Sequence, residues 1–72
     1  MSKLIMNALI AEANAKETKA IANLQNYMAN SAGIGEHPDV VGECSKLVRE
    51  IADARELKET VIEILKANEE NK

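Results

Sequence analysis

Two stretches of the chain carry residues at the same alternating spacing of four and three, and they mirror each other about a glycine-containing break. This spacing places side chains in one stripe along an α-helix. If the chain folds back at residues 33–35, each stripe faces the other. The pattern predicts an all-α, antiparallel two-helix hairpin with helices over about 3–32 and 38–67. The first stripe is Met6, Ile10, Ala13, Glu17, Ala20, Leu24, Tyr27 and Ser31, and the second is Val40, Cys44, Leu47, Ile51, Ala54, Lys58, Val61 and Leu65.

Capping residues indicate where the helices begin and end. Ser2 is a favourable N-cap, so we expect the first helix to begin directly after it. Gly33 suits the left-handed position that ends a helix. Pro38 fits the first position of the second helix, with His37 or Glu36 as its cap. The hairpin is therefore expected to form one domain over 1–72, in which 68–72 are a frayed tail.

The chain is too short to build a large core by itself. Its 72 residues include no Trp and no Phe, so aliphatic side chains must supply the burial. Chains of this size commonly need disulfides, a metal or a partner subunit. The single cysteine, Cys44, cannot form an internal disulfide, and we interpret it as a small buried hydrophobe rather than a reactive thiol. We therefore expect a homo-oligomer.

Charge and hydropathy exclude several functional classes. The 9 basic and 12 acidic residues give a net charge of -3 with both signs interspersed, whereas nucleic-acid binding needs clustered Lys and Arg. The apolar stretch near the N-terminus is short and is interrupted by Asn7, so we expect it to be retained rather than removed as a signal peptide. No segment approaches the roughly 20 residues of a membrane span. We expect a cytoplasmic protein without nucleic-acid or membrane partners.

Charged residues interrupt the centre of both stripes. In the predicted register Glu17 faces Ala54 and Lys58 faces Ala13, so that Glu17 can reach Lys58 or the flanking Arg55. This arrangement favours one register, because a slip would place a charge against an apolar layer. The alternative is a polar site inside a bundle. The alanines beside these charged residues would bring the helices close together, which leaves little room for a ligand. We interpret Glu17, Lys58 and Arg55 as a register-fixing group.

The contact between the two stripes is named the seam. The hairpin carries more apolar residues than this seam can bury. Leu9, Ile21 and Met28 are expected to form a stripe beside the seam, and the open end opposite the turn is apolar almost all round. A helix that is apolar all round is normally buried. We expect a subunit interface there, most simply two hairpins in a four-helix bundle, or a larger oligomer. The expected interface residues are Leu4, Ile5, Leu9, Ile21, Met28, Leu57, Ile62 and Ile64.

The segment between the helices is the part that has the character of a specific motif. It consists of Gly33, Ile34, Gly35, Glu36, His37, Pro38 and Asp39. This string resembles the turn of small uncharacterised proteins of tailed bacteriophages, in which it joins two charged helices. Gly42 and Cys44 depart from the usual pattern of those proteins. The resemblance implies a viral or host-cell cytoplasmic setting and brings no activity with it.

The turn also contains three residue types that bind metals. Glu36, His37 and Asp39 are suitable donors, but adjacent donors around a stiff Pro38 seldom converge without a more distant ligand. We therefore favour a turn-forming role and expect no metal and no cofactor. Nucleophilic catalysis would require a base near Cys44, and the single histidine belongs to the turn. We expect no enzymatic activity.

These features predict a non-enzymatic, self-assembling hairpin that acts as a structural or adaptor protein. Its first partner is another copy of itself, and a host or viral protein is a possible second partner. The alternative is a small regulator that binds a host protein and modulates it through the same apolar surface. The two hypotheses differ in the free state, because only the first requires a stable homo-oligomer.

Overall fold

The computed structural model describes residues 3–30 and 39–70, which contain two α-helices. Helix α1 spans Lys3–Asn30 and helix α2 spans Val40–Glu70. Asn14 of α1 contacts Lys58 of α2, and Glu17, farther along α1, contacts Arg55, which is earlier in α2. Contacts in this order show that the helices run antiparallel. The predicted all-α hairpin is confirmed.

The core is a thin layer between the two helices, and it contains the residues of the mirrored stripes. Three of the six buried side chains are alanines. The other described members of both stripes are half-buried, and Ser31 lies outside the described residues. Small side chains allow two helices to approach closely, but they bury little apolar surface. The buried residues are Met6, Ala13, Ala20, Ile51, Ala54 and Val61.

The bounds of α1 agree with the expected start directly after residue 2. Ala, Leu, Lys and Glu are frequent along the helix, and these residues favour helical backbone. The expected end at residue 32, together with the Gly33 stop signal, lies outside the described residues.

Helix α2 begins later than predicted, because Asp39 is its N-cap. The Asp39 carboxylate accepts a hydrogen bond from the Gly42 N–H at 3.0 Å, and the Asp39 carbonyl accepts one from the Glu43 N–H at 3.1 Å. Aspartate is among the strongest N-cap residues, because its side chain satisfies an amide that has no helical partner. The prediction of a helix start at residue 38, capped by His37 or Glu36, was therefore wrong.

The cap also explains why a glycine stands in the first turn of α2. A Cβ added at Gly42 would lie 2.6 Å from the Asp39 Cγ, much closer than atoms pack. Gly42 thus leaves room for the carboxylate that caps the helix. At its other end α2 continues to Glu70, past the predicted end at residue 67, since no Gly or Pro interrupts Asn68 and Glu69. Residues 71 and 72 of the predicted frayed tail lie outside the described residues.

Removal of the Asp39 cap should destabilise the hairpin. We expect Asp39→Ala to lower the free energy of unfolding by about 1 kcal/mol, because an amide in the first turn of α2 loses its acceptor. Gly42→Ala should stabilise the Asp39→Ala chain by up to about 1 kcal/mol through helix propensity. It should stabilise the wild type less, because the new methyl group displaces the carboxylate. Chemical denaturation of the wild type, the two single variants and the double variant at one protein concentration measures the coupling between Asp39 and Gly42. An equal effect of Gly42→Ala with and without Asp39 would contradict this prediction.

Candidate functional site

A cluster of four polar side chains joins the helices at the middle of the seam. Lys58 Nζ donates a hydrogen bond to Glu17 Oε1 at 2.5 Å and another to Asn14 Oδ1 at 2.9 Å. Arg55 Nε donates to Glu17 Oε2 at 2.6 Å. Each carboxylate oxygen of Glu17 therefore has a cationic donor on the opposite helix. The structure thus brings together the three residues that the sequence identified as the register group, and it adds Asn14, which the sequence analysis missed.

The exposure of the charged side chains in the cluster increases from the seam to the surface. The side chains of Glu17, Lys58 and Arg55 are 15%, 24% and 63% exposed, respectively. Small buried residues at neighbouring positions of the stripes, Ala13 and Ala54, leave space for the long side chains of Glu17 and Lys58. Among the described residues, no buried side-chain nitrogen or oxygen lacks a hydrogen-bond partner. The cluster is therefore a satisfied polar layer within an otherwise apolar seam.

The cations hold Glu17 in its ionised form. Hydrogen bonds from Lys58, and secondly from Arg55, lower the pKa of Glu17, and their effect outweighs partial burial, which acts in the opposite direction. A carboxylate with both oxygens engaged and a lowered pKa is a poor proton acceptor near neutral pH. The arrangement is suited to fixing the position of one helix against the other.

The residues directly beside the seam form two faces that differ in charge. Helical periodicity assigns the residues beside the seam to one side or the other. The side that includes Asn14 and Arg55 is named the aliphatic face. On α1 it comprises Leu4, Asn7, Ala11, Asn14, Thr18, Ile21, Gln25 and Met28, and on α2 Val41, Ser45, Val48, Ala52, Arg55, Glu59, Ile62 and Lys66.

The opposite side is named the charged face. On α1 it comprises Ile5, Leu9, Glu12, Lys16, Lys19, Asn23 and Asn26, and on α2 Glu43, Lys46, Glu50, Asp53, Leu57, Thr60 and Ile64. An open groove of about 570 Å³ runs along its middle, where Lys16 and Lys19 of α1 lie across from Glu50 and Asp53 of α2. Seven of its residues are ionisable, against three on the aliphatic face. The two faces thus present different chemistry to a partner.

The predicted interface residues are distributed over both faces. Leu4, Ile21, Met28 and Ile62 belong to the aliphatic face. Ile5, Leu9 and Ile64 lie on the charged face near the open end, and Leu57 lies on the same face in the central groove. All are exposed except Ile21, which is half-buried.

The expected single stripe of Leu9, Ile21 and Met28 was wrong. At about 100° per residue, Leu9 is rotated by about 120° from Ile21, which puts it on the other side of the seam. The sequence analysis also missed Val41, the most exposed large hydrophobic residue at 82%. The repeat of Val41 and Val48 at a distance of one heptad, with Ile62 two heptads farther, is the signal that would have identified it.

Other candidate residues contribute little to a site within the described part of the chain. Cys44 is a half-buried free thiol on the seam. Asp39 caps α2, while the rest of the turn motif, 33–38, lies outside the described residues. Residues 3–30 and 39–70 contain no group of three or more His, Cys, Asp or Glu side chains that could hold a metal ion. Within the same residues, neither helix is long and apolar enough to cross a membrane.

Comparison of the chain with protein-family models, with curated proteins and with solved structures finds no significant match.

Stability that depends on Glu17 should disappear in acid. The folded-state pKa of Glu17 lies below its ordinary value, so the unfolded chain binds more protons between the two values. The contribution is present above about pH 4.3, the ordinary glutamate value, and is lost as the pH falls through the folded-state pKa. We expect the melting temperatures of wild type and Glu17→Gln to converge between pH 6 and about pH 3. The exposed Glu12→Gln serves as the control, and a constant difference for Glu17→Gln would contradict this prediction.

The Glu17–Lys58 pair should also be coupled more strongly than an ordinary surface pair. Glu12 and Lys16 form a matched control, because they are an exposed i,i+4 pair on one helix at 3.7 Å. Such pairs contribute a few tenths of a kcal/mol. A double-mutant cycle of Glu17→Gln and Lys58→Met should give a larger coupling than a cycle of Glu12→Gln and Lys16→Met, because the first pair is shielded from water and ties two helices together. Equal couplings would mean that the cluster does not fix the helices.

Proposed function

We propose that the chain is a non-enzymatic protein that assembles with copies of itself and serves as a structural or adaptor element. The observation that carries this proposal is the mismatch between its buried and its exposed apolar side chains. Six side chains are buried, and three of those are alanines, whereas nine large aliphatic side chains are exposed. Contiguous apolar patches on soluble proteins mark interaction sites.

Self-association would supply the burial that one hairpin lacks. Small domains that cannot form a sufficient core are commonly completed by a partner subunit. Two hairpins packed in a four-helix bundle are the simplest such assembly, because a two-fold axis lets one surface serve both subunits. The elongated shape of the hairpin suits this packing, since its helices of 28 and 31 residues offer long straight sides.

An adaptor role requires surface that remains free after assembly. The charged face offers an open groove with both signs of charge along α1 and α2. Charged side chains at a partner interface contribute specificity and association rate more than affinity. The resemblance of the turn to those of tailed-bacteriophage proteins supports a phage origin and a place in the cytoplasm of the host cell.

A second candidate function is a small regulator that binds a host protein. The charged face favours this candidate, because Leu9 and Ile64 are exposed near its open end and Leu57 is exposed in the groove. An apolar patch bordered by charged residues has the composition of a transient interface, with an apolar centre and a polar rim.

The assembly state distinguishes the two functions. At micromolar concentration we expect light scattering after gel filtration to give a mass of at least twice the 7.9 kDa of one chain. The melting temperature should rise with protein concentration, because association stabilises the folded form by mass action. A helical monomer with a concentration-independent melting temperature would overturn self-assembly and favour the regulator.

A further inference from the structure

We infer that the aliphatic face is the surface on which a second copy of this chain docks, and that the charged face points outward. This inference rests on the proposed self-assembly and makes it specific, because it selects one side of the hairpin. The sequence alone indicated the open end as the interface. The structure separates the aliphatic residues at that end by side and shows that one side continues to the turn.

The first argument is the distribution of charge. The eight α1 positions of the aliphatic face carry no ionisable side chain from Leu4 to Met28, over seven turns of helix. On α2 the four positions nearest the turn, from Val41 to Ala52, are also uncharged. Cores of protein interfaces are depleted of charged residues and retain aliphatic ones. The uncharged α1 positions and the uncharged α2 positions near the turn therefore have the composition of an interface core.

The second argument is the extent of the exposed aliphatic side chains. On the charged face they extend from the open end to Leu57 in the middle of the hairpin, and none lies near the turn. On the aliphatic face they occur along the whole hairpin, and Met28 and Val41, the two nearest the turn, are 72% and 82% exposed. The other large aliphatic residues of this face are Leu4, Ile21, Val48 and Ile62.

The third argument is area. A helix of 28 residues is about 42 Å long, and two helices side by side are about 20 Å wide. The aliphatic face therefore covers on the order of 800 Å², which matches the roughly 800 Å² per partner of a standard stable interface. The aliphatic face alone therefore offers the area of a standard interface, without surface from the charged face.

The central charges are compatible with a second copy. Glu59 balances Arg55 on the face itself, and Glu17 balances Lys58 in the adjacent seam, so the middle of the hairpin is neutral on this side. Because a two-fold axis brings the same patch of both copies together, a neutral patch avoids like-charge repulsion. Arg55 is already bonded to Glu17, and a guanidinium held in this way is well suited to an interface. The polar cluster would then lie between the two hairpins.

Two matched substitutions test the choice of face. Val48→Glu adds a charge to the aliphatic face and Leu57→Glu adds one to the charged face, at positions that are 52% and 39% exposed on the same helix. We expect Val48→Glu to weaken the dimer at least tenfold in sedimentation equilibrium, and Leu57→Glu to change it less than threefold. Equal effects, or a larger effect of Leu57→Glu, would overturn the choice of face while self-assembly stands. A wild type that is monomeric would overturn the proposed self-assembly itself.

Thiol labelling provides a second measurement that does not depend on disrupting the assembly. In a Cys44→Ala background, Val48→Cys and Leu57→Cys are each treated with a maleimide at low and at high protein concentration. We expect assembly to slow labelling at position 48 at least fivefold and to leave position 57 nearly unchanged, with circular dichroism confirming that both remain helical. Unchanged labelling at position 48 in a chain that sediments as a dimer would overturn the inference.

Discussion

The close packing of α1 against α2 at the alanine layers is the constraint on which the rest of the structure depends. Ala13, Ala20 and Ala54 are buried between the helices, and their small side chains permit a short distance between the helix axes. The same small side chains limit the hydrophobic stabilisation, which is about 0.8 kcal/mol for each buried methylene-sized group. The alanines thus define the geometry of the seam but limit the size of the core, and they leave the space that the polar cluster occupies.

The polar cluster uses the space that the alanines leave. Glu17 alone in this seam would be a destabilising charge, because partial burial removes water from its carboxylate. Lys58 and Arg55 replace that water with hydrogen bonds from the opposite helix, and Asn14 accepts a further bond from Lys58. These bonds require particular pairs of residues to meet, whereas apolar contacts between aliphatic layers tolerate a shift. The cluster therefore adds directional contacts to a seam whose apolar contacts alone fix the register of the helices only weakly.

The sequence predicted the hairpin and the cluster because both follow from helical spacing. It predicted Glu17 beside Lys58 and Arg55 because the mirror of the two stripes fixes which residues face each other. It failed where a short-range competition decides the outcome: Pro38 and Asp39 are both suited to the start of a helix, and the bond from Gly42 to Asp39 selects the cap. The sequence prediction also missed Val41. The spacing of the stripes identifies the residues between the helices, but it does not by itself assign the residues beside the seam to one side or the other.

The difference between the two sides of the hairpin is more informative than the total number of exposed aliphatic residues. The seam uses two positions of each heptad, and the positions on its two sides are equivalent with respect to folding within one chain. Packing between the two helices does not by itself require the two sides to differ in charge. Here one side carries Lys16, Lys19, Glu50 and Asp53 about a groove, while the α1 positions of the other side carry no charge at all. Under the inference that a second copy docks on the aliphatic face, a second helical layer would cover this less charged side and add to the thin core between the helices.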